Sequence, residues 1–236
     1  LRAFNSFYEV YPHIKQKRLI KYNLKDKLEE NIYSKNNPAE NYAWFKLAEV
    51  LKCDEEVIDS YRQICLDDLK YTSDIFLSNL KTATYDISKR FQIELLIRNT
   101  ILYDYSNIFY TAQHLCNLLK VSALESVRNT AGKSLIEIFP HLSFEQKNDI
   151  VIELIRALEM ESYEFTKYIP EYLGKLLLHL KPVEFDEIID HFYEELSKKQ
   201  SKVIALFQKT IGVTLQDFSE YKAIYSIDDD EYKKRL

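Results

Sequence analysis

Glycine and proline are scarce in this sequence. Only 3 Gly and 5 Pro occur among 236 residues, whereas a β-sandwich or barrel needs turn residues about every 8–12 positions. The three glycines, Gly132, Gly174 and Gly212, lie too far apart to form either of the glycine-rich loops that cradle phosphates. The composition therefore predicts an all-α chain without a nucleotide-binding loop.

Cysteine is scarce as well. Cys53, Cys65 and Cys116 are odd in number and widely spaced, which excludes both a disulfide framework and a C-x-x-C zinc or redox motif. Each of them lies among apolar residues, where a small buried thiol is the expected state. No signal-peptide pattern opens the sequence. Reduced thiols and the missing signal predict a cytoplasmic location.

Long apolar runs and an excess of basic charge are also missing. No apolar run approaches the ~18 residues of a membrane span, so no membrane partner is expected. The chain has 32 Lys and Arg against 37 Asp and Glu, which gives a net charge of −5, and the excess of acid lies in residues 119–236. A surface that tracks phosphates needs the opposite balance. Nucleic-acid binding therefore ranks below protein binding.

None of the five histidines belongs to a catalytic or metal-binding motif, because H-E-x-x-H and G-x-S-x-G cannot be written. One alternative is a metal ion held by His179, His191, Asp186 and Asp190, which we rank below surface or helix-capping histidines. We expect no catalytic residue, no cofactor and no metal.

Apolar residues recur at helical spacing in the first part of the chain. The helices expected there run over 11–33, from Pro38 to about Lys52, from Asp54 to about Lys70, over 74–82 after a cap at Thr72–Asp74, and over 86–103. Residues 1–105 keep no longer period. They form an N-terminal helical region, made either of degenerate repeats or of a separate helical cap.

Residues 106–215 repeat with a period of 38 residues. Four apolar positions recur at this spacing in three predicted helices: Val127, Ala131, Leu135 and Phe139; Phe165, Ile169, Leu173 and Leu177; Val203, Phe207, Ile211 and Leu215. A fixed period made of two helices is typical of an α-solenoid. We expect three stacked helix pairs over 106–215, a kink at Pro170 in the interior of the second of these helices, and a charged tail over 216–236.

Residues 108–119, a short turn and residues 125–135 resemble a HEAT repeat, with a helix A, a turn and a helix B that opens with Val127-Arg128. The chain is similar to the HEAT-like and armadillo-like α-helical repeat family over 106–215, although the arginine does not recur at Thr166 or Ile204. The resemblance implies a right-handed α-α superhelix whose B helices line a concave face. It places partner contacts at the exposed B-helix positions, which are Arg128, Lys133, Lys167, Glu171, Lys175 and Lys209.

An alternative use of these charges is structural. Lys133, Glu171 and Lys209 fall in one column of the register, where alternating signs would form a ladder between repeats. The functions that remain, in order, are a non-enzymatic scaffold that binds a protein or peptide, a helical regulatory module of a multidomain enzyme, and a nucleic-acid-binding solenoid. We expect the chain to be a fragment of a larger protein. The pattern leaves the oligomeric state open.

Overall fold

In the computed structural model, helices form most of the part of the chain that is described. The structure describes residues 24–32, 37–158, 160, 163–181, 183–188, 190, 208–210 and 212. Within these ranges every element is an α-helix or a short 3-10 helix, and no residue lies in a strand. The all-α prediction is confirmed. The physical reason is that few residues of this chain suit the tight turns that join strands.

Backbone contacts divide the chain into two compact units, Leu1–Asn107 and Ile108–Leu236. The first unit contains α1 (Leu24–Asn31), α2 (Pro38–Leu51), α3 (Glu55–Asp68), α4 (Ser73–Thr82), α5 (Asp86–Leu102) and a 3-10 turn at Tyr105–Asn107. The second contains α6 (Ile108–Val121), α7 (Glu125–Ile138), a 3-10 turn at Phe139–His141, α8 (Phe144–Ala157), α9 (Tyr163–Thr166) and α10 (Ile169–Leu177). Residues 183–188 are also helical.

Local sequence signals set the bounds of the early helices. The side chain of Asn37 accepts a hydrogen bond from the Glu40 backbone N–H at 3.1 Å, and Pro38 opens α2, because a proline in the first turn gives up no hydrogen bond. The helix ends at Lys52, whose φ of 52° is left-handed. Asp54 precedes α3 as predicted, but its side chain makes no capping hydrogen bond. The helix predicted over 11–33 lies partly outside the described residues.

The core of the first unit surrounds α5. Most of this helix is buried, including the consecutive residues Leu95, Leu96 and Ile97, each at most 1% exposed, whereas Arg98 and Leu102 are exposed. Three consecutive residues cannot share one face of a helix, so α5 is covered on more than one side. Phe76 and Phe91 belong to the same apolar cluster, and a second cluster lies around Tyr61, Leu28, Leu47 and Ala48.

The start of α4 is held by a residue far away in sequence. Thr72 occupies the position before the helix, but its side chain makes no capping hydrogen bond. A carboxylate oxygen of Asp104 instead accepts the Ser73 backbone N–H at 3.1 Å. The side-chain amide of Asn107 donates to both Asp104 and the Ser73 hydroxyl. The helix therefore begins where the cap at Thr72–Asp74 was expected. The oxygen that accepts the capping hydrogen bond, however, comes from Asp104 and not from Thr72.

In the second unit, like helices pack against like. The short turn after α6 returns the chain as α7, and these two helices pack closely. In addition α6 packs against α8, α7 packs against α10, and α8 packs against α10. Two helix pairs, α6 with α7 and α8 with α10, therefore lie side by side.

The predicted apolar register lies in this core where it is described. Val127, Ala131 and Leu135 of α7 are fully buried, and so are Ile169 and Leu173 of α10. The third copy, Val203, Phe207, Ile211 and Leu215, lies outside the described residues.

The second B helix differs from the prediction at Pro170. A single kinked helix was expected from Phe165 to Leu177, but the chain forms α9, a turn at residues 167–168, and then α10. Pro170 is in the first turn of α10, where its missing N–H costs nothing. Phe165 is consequently only partly buried. Among the described helices, none is both long and apolar enough to cross a membrane.

Candidate interaction surface on α7 and α10

Helices α7 and α10 approach each other closely at Gly132. A Cβ atom on Gly132 would lie 2.5 Å from the Cδ1 and Cε1 atoms of the Tyr172 ring, which is closer than real contacts allow. The Tyr172 hydroxyl donates to the Asn129 side-chain oxygen at 3.0 Å. Burial, followed by the charges of Glu171 and Glu125, raises the pKa of Tyr172 to about 12, so the hydroxyl keeps its proton for this bond at neutral pH. The exposed sides of α7 and α10 therefore form one surface.

Five of the six predicted contact residues have an exposed or partly exposed side chain. Lys133, Glu171 and Lys209 are exposed, and Lys167 and Lys175 are partly exposed. The Lys209 ammonium donates to the Lys167 backbone carbonyl at 3.3 Å. This contact brings residue 209 to the turn between α9 and α10.

The charges on this surface are paired within their own helical segments. The Lys175 ammonium lies 3.2 Å from the Glu171 carboxylate, and that of Lys167 lies 2.9 Å from Glu164. The Glu164 pairing raises the pKa of Lys167 and lowers that of Glu164. Along the described part of the chain, no ion pair joins Glu171 to Lys133. The charge ladder between repeats is therefore not formed at this step of the register.

The expectation that Arg128 is exposed is wrong. Its side chain is buried, with 5% of its surface accessible. The guanidinium carbon lies 4.4 Å from the centroid of the Tyr168 ring and 5.7 Å from that of Phe165, and a guanidinium N–H donates to the Ser122 carbonyl. A planar, delocalised cation is weakly hydrated and stacks well on aromatic faces. Arg128 therefore links α7 to Phe165 and Tyr168, and its side chain is almost entirely buried.

The surface is balanced in charge. It has four lysines and three glutamates, and two of the lysines are paired with a glutamate. The residues are Lys133, Lys167, Lys175 and Lys209, and Glu125, Glu164 and Glu171. A groove that follows a phosphate backbone gains its affinity from an uncompensated row of cations. This surface has the mixed polarity that suits a polypeptide.

Groups that could support chemistry are isolated in the structure. Among the described residues, no three His, Cys, Asp or Glu side chains are placed to hold a metal ion. Burial, and then the charge of Lys147, lowers the pKa of His179, and His191 lies outside the described residues. Burial raises the pKa values of Cys65 and Cys116 to about 12. These two thiols therefore stay protonated near neutral pH and are poor nucleophiles.

A second surface was missed from the sequence. Large apolar side chains are exposed where the turn after α3 meets the C-terminal end of α5. Tyr71 is 51% exposed, and its carbonyl accepts a hydrogen bond from the Asn99 side chain of α5. Leu102 is 59% exposed, Tyr103 50% and Tyr105 54%. We call these four residues the tyrosine patch. The signal that could have found the patch is their position, because all four lie at helix ends, outside the periodic apolar faces.

We compared the chain with family models, curated proteins and solved structures, and none of them matches it.

Proposed function

We propose that the chain is a non-enzymatic α-helical module that binds a polypeptide partner. The observation that carries this proposal is that α7 and α10 lie side by side, with the Tyr172 ring against Gly132. Exposed positions such as Lys133, Glu171 and Lys175 then stand on neighbouring helices. A strip that runs across successive helices suits an extended chain better than a compact metabolite.

The proposal includes the repeat family and the location. We assign residues 106–215 to HEAT-like helix pairs in a right-handed superhelix, and the packing of like helices against like supports this assignment. We place the protein in the cytoplasm, where thiols stay reduced, and none of its three cysteines forms a disulfide. The partner contacts are Lys133, Lys167, Glu171, Lys175 and Lys209, without Arg128.

Charge reversal on the strip tests the proposal. Peptides would first be selected against the chain from a library of random displayed 12-residue sequences, and their dissociation constants measured by fluorescence anisotropy. Reversal at Lys167 and Lys175 turns two paired sites into clusters of like charge, so we expect at least about tenfold weaker binding. The melting temperature should move by no more than a few degrees, because exposed pairs contribute little to stability.

The matched control is the double variant K81E/K181E. Lys81 and Lys181 are exposed and are not among the proposed contacts, and their reversal changes the net charge by the same amount. Binding should be retained in this control. Equal loss in both double variants, or unaltered binding by K167E/K175E, would contradict the proposed contacts. Tight, salt-dependent binding of a 20-base-pair DNA duplex in place of peptide would favour the nucleic-acid alternative.

A further inference from the structure

Hydrogen bonds hold the backbone of the tyrosine patch in place, while its side chains are exposed. The Asn99 side-chain amide is fully buried and donates to the Leu69 and Tyr71 carbonyls, at 2.7 and 2.5 Å. Asp104 holds the start of α4 at Ser73 and so joins the segments on either side of the patch. Because these bonds are internal to the first unit, the rings are presented without a loop that must order on binding. Binding to such a surface has a small entropic cost.

Exposed tyrosines of this kind are typical of contact surfaces. A tyrosine ring gives a large apolar area with few rotatable bonds, and its hydroxyl stays compatible with water. Tyrosine is enriched at protein interfaces and among the residues that dominate their affinity. Three of the four patch residues are tyrosines, each about half exposed.

The electrostatic surroundings of the patch are negative. Helices α3 and α5 both end beside it, neither has a basic residue in its last turn, and each C-terminus carries a partial negative charge. The positive N-terminus of α4 also lies here, but the Asp104 carboxylate accepts the Ser73 backbone N–H at that terminus. Asp67, Asp74 and Asp104 add carboxylates. Lys70 is the cation beside them, and its ammonium lies 2.7 Å from Asp67. The patch thus favours a positively charged occupant.

We propose that the tyrosine patch binds a basic polypeptide segment, whose Lys or Arg side chains lie on the tyrosine rings and face the neighbouring carboxylates. The chain already uses this chemistry internally. The Arg98 guanidinium carbon lies 5.2 Å from the Tyr42 ring centroid, and that of Arg128 lies 4.4 Å from Tyr168. Cations over aromatic faces are attracted by the ring quadrupole. The patch shares no residue with the strip on α7 and α10, and the inference stands without the proposed function.

The test uses the whole chain and a labelled ten-residue peptide of alternating Gly and Arg, with a Gly and Glu peptide of the same length for comparison. The arginine peptide is expected to bind and the glutamate peptide to be rejected. Raising the salt from about 50 to about 200 mM should weaken binding several-fold, because exposed charges are screened.

The double variant Y71S/Y103S should weaken the arginine peptide at least about tenfold. Asp74→Lys, which removes a carboxylate and leaves the rings in place, should weaken it as well. The matched controls are Tyr110→Ser, since Tyr110 is 47% exposed on α6, and Glu137→Lys on the exposed side of α7. Both controls should bind like the unaltered chain.

Results of two kinds would overturn the proposal. One is equal binding of the glutamate and arginine peptides, or unaltered binding by both Asp74→Lys and a Y71S/Y103S variant whose circular dichroism is normal. The other is self-association of the chain in sedimentation velocity that Y71S/Y103S abolishes while peptide binding persists, which would make the patch a contact between copies. Variants of Lys167 and Lys175 should leave the arginine peptide bound, so failure here is distinct from failure on the strip.

Discussion

The two units reach stability by different routes. In the first unit, specific polar bonds join residues that are far apart in sequence. The Tyr61 hydroxyl donates to the Leu28 carbonyl at 2.6 Å, and the buried Asn99 amide donates to two carbonyls of the turn after α3. Asp104 caps α4 from 31 residues away. Each of these bonds satisfies a group that would be costly to leave unpaired in the interior.

In the second unit, apolar residues that recur at a fixed spacing form the packed core. The buried positions of α7 recur in α10, and the two helices meet where Gly132 leaves room for the Tyr172 ring. Long-range polar links are present, such as Lys120 with Glu153, but the repeated spacing already aligns the helices. The comparison teaches that helix packing can be predicted from the sequence where apolar residues repeat at a fixed spacing. Packing that depends on individual polar bonds cannot be predicted in this way.

The largest effect is expected from removing a central residue of that register. Leu173 is fully buried, so Leu173→Ala leaves a cavity and should lower the free energy of unfolding by ~2–5 kcal/mol in urea denaturation. Leu124→Ala is the matched control, because Leu124 is 41% exposed. A loss below about 1 kcal/mol for Leu173→Ala would show that the apolar register is not what packs the second unit.

The close approach of α7 and α10 gives the next effect. Gly132→Ala places a methyl group against the Tyr172 ring and should destabilise the chain by ~1–3 kcal/mol. Gly212→Ala is the control, because Gly212 has nothing within 4 Å of an added Cβ, and alanine there should be neutral or stabilising.

The double variant G132A/Y172A sharpens this prediction. Without the ring, the methyl group has room, so the effect of Gly132→Ala measured in the Tyr172→Ala background should largely disappear. Strict additivity of the two changes in urea unfolding would indicate that the ring does not rest on Gly132.

In the first unit, Asp104 should contribute to the free energy of unfolding in a pH-dependent way. Hydrogen bonds from Asn107 and then from Ser73 lower the pKa of Asp104 below its ordinary 3.8. The carboxylate therefore stabilises the fold above that ordinary value, and this contribution is lost as the pH falls through the lowered pKa. Asp104→Ala should cost ~0.5–2 kcal/mol near pH 7, the usual range for a lost cap.

Asp74→Ala controls for the loss of a carboxylate in the first turn of the same helix, where Asp74 is exposed. Its effect should be smaller than that of Asp104→Ala. Urea unfolding at a series of pH values measures both. A deficit for Asp104→Ala that stays constant down to about pH 2, below the ordinary range of an aspartate, would contradict the assigned cap.

The smallest effect belongs to the candidate strip. Lys175→Ala removes an exposed pair with Glu171 and should change the free energy of unfolding by less than about 0.5 kcal/mol. Loss of peptide binding in this variant would separate recognition from stability. A change above about 1 kcal/mol would instead assign Lys175 to the structure of the second unit.

Much of the fold could be predicted because its signals are local. Pro38 and Asn37 mark the start of α2, and the acidic residues after Asp54 mark the start of α3. The break before Pro170 shows the limit of such reasoning. The sequence predicted a disturbance there, but whether the helix bends or splits depends on the neighbours that take up Phe165 and Tyr168.

The candidate strip was harder to predict, because exposure is not local. Lys133 and Arg128 both occupy polar positions of the same helix, yet the former is exposed and the latter is buried at 5%. The difference comes from Tyr168, which lies 40 residues away from Arg128 and supplies a ring for its guanidinium. No pattern within α7 contains that information.

The amino-acid sequence by itself determined the all-α class, most helix bounds and the apolar register of α7 and α10, since turn chemistry, capping and periodicity act over a few residues. The tertiary structure alone decided how Asp104 caps α4, how Arg128 becomes buried, and how Tyr71 comes to lie beside the end of α5. These features join residues separated by tens of positions. Their energies exist only once the helices have packed, because each partner group is supplied by a different helix or turn.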